Sequence, residues 1–154
     1  MRPLRLLAVA LLLAGCAATP TVPAASHVGH DPQADRVKAA LAGAFGMTFE
    51  SAGPHHELGR TDDGVQLDLV GAPVEQVVLS LPEGSVEAGA AYLPHLRDLL
   101  HGPASAYDWA ADVLACHATS SDCEERFAQG NLEARVTREA GYVVLSLTSR
   151  SGPG

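Results

Sequence analysis

Short runs in which apolar and polar residues strictly alternate limit what this chain can become. Val65, Leu67 and Leu69 alternate with Gln66 and Asp68, and Leu132, Ala134 and Val136 alternate with Glu133, Arg135 and Thr137. Val143, Leu145 and Leu147 share one parity within Tyr142 to Thr148, and Met47, Phe49 and Ser51 repeat the pattern more weakly. A period of two places each apolar set on one face of a strand. Val74 to Leu81 differs, because its centre, Val77-Val78-Leu79, is apolar at both parities and suits a central strand. The connections are tight: Thr61-Asp62-Asp63-Gly64, Gly71-Ala72-Pro73 and Glu139-Ala140-Gly141. Turns this short join antiparallel neighbours.

The remaining segments read as helices. Asp31-Pro32 supplies an N-cap and a first-turn proline. Val37, Ala40, Leu41, Ala44 and Phe45 follow at helical spacing, and Gly46 can end the helix. Val86 to Leu100 has helical composition but contains Pro94, which predicts a kink or a new helix near Leu93 that buries Leu93, Leu96, Leu99 and Leu100. Ser105-Ala106-Tyr107-Asp108 has the form of a capping box for a third helix, with Trp109, Val113, Cys116 and His117 on one stripe. The expectation is a single α+β domain over residues 31–149, in the order α-β-β-β-α-α-β-β. It has an antiparallel sheet of about five strands with helices on one face. The tail, 150–154, should fray.

The N-terminus carries the clearest statement about location. Arg2 and Arg5 precede an apolar run from Leu6 to Ala14, too short to span a bilayer as a helix, and small residues lead to Cys16. This is the layout of an export signal. Leu13-Ala14-Gly15-Cys16 resembles the lipobox of bacterial lipoproteins. The resemblance implies cleavage after residue 15 and acylation of Cys16 with a diacylglyceryl group, and in many bacteria an N-acyl chain such as palmitate. Two or more chains give stable attachment. Ala17 follows Cys16 rather than Asp, which by the same resemblance directs the protein to the periplasmic side of the outer membrane in a Gram-negative host. Residues 16–30, rich in Ala, Thr and Pro, then read as a flexible tether.

Charge and cysteine count refine this picture. The formal charge of −8 becomes −10 once Arg2 and Arg5 leave with the signal. An acidic body carries no basic footprint for nucleic acid and would not dock by charge on anionic lipid. With Cys16 acylated, Cys116 and Cys123 form an even pair in an exported chain and read as a disulfide.

Chemistry-bearing motifs are sparse. His27, His30 and Asp31 form one histidine cluster and His55-His56-Glu57 a second; together the four histidines are the candidate ligands for Zn or Cu. Neither cluster sits on a helix face, so solvated loop histidines are the plainer reading. His95 and His101 read as surface residues and His117 as a neighbour of the disulfide. Asp108 and Asp112 are four apart on one helix face, which suits a solvated face better than a catalytic pair. Trp109, with Tyr107 and Tyr92, fits the core better than a binding surface. There is no nucleophile elbow, zincin motif, phosphate loop or dinucleotide fingerprint, and Ser85, Ser105 and Ser120 have no evident base. No cofactor is expected. The leading expectation is a non-catalytic, lipid-anchored envelope domain that binds an envelope protein or other component. A periplasmic metal-binding lipoprotein and a small envelope hydrolase are the alternatives.

Overall fold

The computed structural model describes residues 31–123 and 125–150. Helix α1 (Pro32–Phe45) begins as the sequence dictates. Asp31 Oδ1 accepts from the amides of Gln33 (2.9 Å) and Ala34 (3.2 Å), and Gly46 closes the helix at φ 65°. Its buried stripe is Ala34, Val37 and Leu41, with Phe45 half-buried; Ala40 and Ala44 are exposed. Four strands follow: β1 (Thr48–Gly53), β2 (His56–Arg60), β3 (Gln66–Gly71) and β4 (Val74–Pro82). Two 3₁₀ turns, Glu83–Ser85 and Glu87–Tyr92, lead into α2 (Leu93–Leu100), so Pro94 falls in a first helical turn rather than an interior. Leu93, Leu96, Leu99 and Leu100 are all buried, as their spacing requires. Helix α3 (Ala104–Thr119) is followed by β5 (Arg126–Gln129), β6 (Leu132–Glu139) and β7 (Tyr142–Ser149).

The α+β class and the antiparallel sheet agree with expectation, but the strand count and order do not. The sheet has seven strands, ordered β1-β2-β3-β4-β7-β6-β5, in place of about five. The two unanticipated strands are β2 and β5, so the element order is α-β-β-β-β-α-α-β-β-β. β2 gives no periodic signal because its core-facing positions hold Glu57 and Gly59 rather than apolar side chains. A Cβ at Gly59 would lie 2.7 Å from both Met47 Sδ and Phe49 Cε1, so the glycine makes room for β1's large side chains. β5 is a four-residue edge strand whose one large apolar residue, Phe127, packs on Trp109 with ring centroids 5.6 Å apart. The α3 start also departs from the capping-box reading. Pro103 precedes the helix without a side-chain cap, and Ser105 lies inside the first turn, where its hydroxyl bonds Gln129 Oε1 (2.6 Å).

The helices cover one face of the sheet. Leu67, Leu79, Leu145 and Val136 stand in register across four strands, and each is fully buried. Helices α2 and α3 pack over this face, and α1 packs on α2. Tyr92 stacks on Phe45 with centroids 4.1 Å apart. Tyr107 is buried, which pushes its phenol up to about 12. Trp109 is only half-buried at the margin of the core.

Candidate interaction surface

Among the described residues, no helix packs on the other face of the sheet. Its residues are the alternate positions of the same strands. One unbroken row crosses all seven: Glu50, Leu58, Asp68, Val78, Ser146, Arg135 and Arg126 are successive register partners. A second row runs Arg60, Gln66, Ser80, Val144, Thr137, and a third runs His56, Val70, Gln76, Thr148, Glu133, Ala128. Leu58, Val70, Val78 and Val144 are each half-buried. They supply an apolar middle that nothing among the described residues covers.

Charge on this face is divided by side. Toward β1 stand Glu50 and Asp68 with one arginine, Arg60, whose Nη1 is 2.8 Å from Glu50 Oε1. Asp68 Oδ1 lies 2.7 Å from His56 Nε2. Toward β5 stand three arginines, Arg126, Arg135 and Arg150, and one acid: Arg126 Nε is 3.8 Å from Glu133 Oε1, and Arg150 also bonds Glu133. Arg126 and Arg135 are direct register partners, an arrangement that like charges disfavour. A shallow depression of about 200 Å³ lies at the β1 side, lined by Thr48, Phe49, Glu50, Leu58 and Arg60.

The residues singled out by sequence fall elsewhere or outside. Cys16, His27 and His30 lie outside the described residues. His55 lies in the β1–β2 turn at φ 56°, and His56 opens β2. They border a cleft of about 230 Å³ between that turn and the start of α1, with Asp31, Asp35, Lys38 and Glu57. Lys38 Nζ bonds Asp35 Oδ1 (2.8 Å) and Glu57 Oε2 (2.6 Å), tying α1 to β2. Burial works against its charge, but the bonds to the two carboxylates outweigh this and hold the ammonium above its ordinary value. Asp31 Oδ2 accepts from the Val74 amide at 3.4 Å, so the same cleft joins α1 to β4. These contacts give the cleft a structural role. Among the described residues, no group of three or more His, Cys, Asp or Glu side chains converges as a metal site.

Asp108 and Asp112 are exposed on α3. His95 is half-buried, edge-on to Phe45 at 5.7 Å, and His101 is exposed just after α2. Cys116 and Cys123 form a disulfide with a Cα–Cα distance of 6.0 Å, fastening the end of α3 to the approach to β5. No family model matches the chain, and no curated protein or solved structure resembles it closely enough to count. No described helix is long and apolar enough to cross a membrane.

The open face is silent in sequence motifs because the side chains of its apolar middle are not of catalytic or ligating types. The available signal was the second parity of the strands, above all Val78 between Val77 and Leu79.

His117, beside the disulfide, sets a pH limit on the fold. It is 4% exposed, and among the described residues neither ring nitrogen has a hydrogen-bond partner. Burial holds its pKa below the ordinary 6.5, the Arg138 guanidinium pushes it further down, and Glu125 partly opposes both. The folded state therefore takes up its proton at lower pH than the unfolded chain, which does so as pH falls through 6.5. Stability is full above that pH and falls below it. The urea midpoint should drop between pH 7.5 and 5.5 in the native chain and stay nearly level in His117→Gln.

Proposed function

We propose that this protein is an acyl-anchored envelope lipoprotein whose α+β domain is a non-catalytic binding module, working through the open face of its sheet. The observation that supports the reading best is that face itself. An antiparallel sheet can leave one face to solvent, but it then usually carries polar side chains there. Here Leu58, Val70, Val78 and Val144 occupy it, between an acidic and a basic flank. An apolar centre with a polar rim is the common anatomy of a protein interface. The acidic domain, on a tether of about 15 residues, would reach roughly 45 Å from the lipid if extended, within range of envelope proteins.

The two halves of the reading are tested separately. Cys16→Ser should move the protein from the membrane pellet to the soluble fraction of lysed cells, and continued sedimentation with membranes would refute anchoring. For the surface, a photoreactive phenylalanine analogue at Val78 should give discrete adducts in the native envelope. The same group at Ala42, exposed on α1, should give few.

A further inference from the structure

We propose that the open face pairs with the same face of a second copy of this chain, about a two-fold axis running along β4. The inference rests on the reading of that face as the interaction surface and names its partner. β4 is the fourth of seven strands, so it bisects the face, and Val78 stands at the middle of the row that crosses every strand. An axis in the interface plane and along β4 brings the β1 flank of one copy over the β5 flank of the other. It sets Glu50 against the second copy's Arg126, and His56 against its Glu133. Leu58 meets the second copy's Arg135, whose aliphatic stem can lie on the leucine while its guanidinium reaches the acidic flank. Gln76, Val78 and Ser80 meet their own copies on the axis.

Charge selects this axis over one perpendicular to the strands. Rotation about a line perpendicular to the strands would set Asp68 on Asp68 and Arg135 on Arg135. Like charges across a dry contact are strongly disfavoured. Along β4, each flank meets its opposite. The shapes agree as well: the depression of about 200 Å³ beside Glu50 lies where the second copy's Arg126 and Arg135 arrive. It also gives the adjacent pair Arg126 and Arg135 an acidic partner that the described residues provide only in part, through Glu133.

The area is adequate but small. Seven strands about 4.8 Å apart and three rows of side chains along them give roughly 600 Å² per copy. The total, roughly 1,200 Å², is the lower bound for a stable interface, so association in dilute solution should be weak. Two copies anchored in one membrane have a far higher effective concentration, which favours the pair without new contacts.

The test uses the full chain in its native envelope, with the photoreactive group at Val78. The expected adduct has twice the mass of the chain. Glu50→Arg and Arg126→Glu should each lower its yield about tenfold, because a two-fold interface loses the contact twice. The combined Glu50→Arg/Arg126→Glu chain should recover it. Both positions are solvent-exposed, and circular dichroism will verify that each variant folds. Adducts only with a different protein would overturn pairing with a second copy and leave the surface reading standing. Adducts of single-chain mass, mapped to residues 16–30, would overturn it in favour of the chain's own tether. Doubled-mass adducts without recovery in the combined chain would overturn the axis along β4. Absence of any adduct would remove both the pairing and the surface reading.

Discussion

Leu79→Ala will destabilise the domain by about 3–5 kcal/mol, while Val78→Ala, one residue away, will cost about 1 kcal/mol or less. Both residues lie in β4, the central strand, and differ only in the face they occupy. Leu79 is fully buried between Leu67 and Leu145 under the helices. Truncation there opens a cavity that the neighbouring strands, fixed by their hydrogen bonds, cannot close. Val78 is half-buried, so less area is lost and no cavity forms. Urea denaturation of the two variants checks this directly. A domain of this size is stable by only about 5–15 kcal/mol, so Leu79→Ala should also lower Tm by roughly 10–20 °C. Equal losses at both positions would mean that the second face is also buried by protein in the monomer. The contrast also licenses Val78 as a probe position, since a change there should leave the fold intact.

How far the fold was legible follows from where each strand keeps its apolar residues. β3, β4, β6 and β7 form the middle of the sheet, and their buried inward residues are Leu and Val with one alanine. Their period is plain in the sequence. The edges could not. In β2 the inward side is filled by neighbours: Met47 and Phe49 lean over Gly59, and Glu57 is satisfied by Lys38 from α1. A strand whose core is lent by other elements has no period of its own. β5 is short enough that one phenylalanine, seated on Trp109, is its whole contribution. Helix limits were legible where a side chain sets them, as Asp31 and Gly46 do for α1. They were misread at α3, where Ser105 has the right chemistry for a cap and instead reaches across to Gln129 on β5.

The candidate site was less legible than the fold, for a related reason. A binding face is a property of register: Glu50 and Arg126 are 76 positions apart in the chain and share one row. Sequence gives the parity of each residue but not which strands are neighbours. The histidine pair His55-His56 was conspicuous in the sequence, yet His56 is engaged by Asp68 and His55 is held in a turn. The local disulfide could be read, since Cys116 and Cys123 lie close in the chain and the proposed acylation sets Cys16 apart from them.

That disulfide carries the second large effect. Replacing Cys116 and Cys123 together by serine will lower stability by about 2.5 kcal/mol, the chain entropy restored to the unfolded state by opening a loop this short. The loss will not be confined to the crosslink. Cys116 lies in the last turn of α3, and Arg138 from β6 bonds the carbonyls of His117 (2.7 Å) and Ser120 (3.5 Å) at the same helix end. Cys123 anchors the segment leading to β5, an edge strand and the shortest of the sheet. Without the link, the helix end can fray, His117 gains water, and its ring can take up a proton with the fold still closed. The double variant should therefore show a lower urea midpoint at pH 7.5, with a smaller further drop on acidification than the native chain. Hydrogen exchange should quicken in 117–129 while the β4–β7 amides stay protected. A uniform rise in exchange across the sheet would mean that the disulfide supports the whole fold rather than this corner.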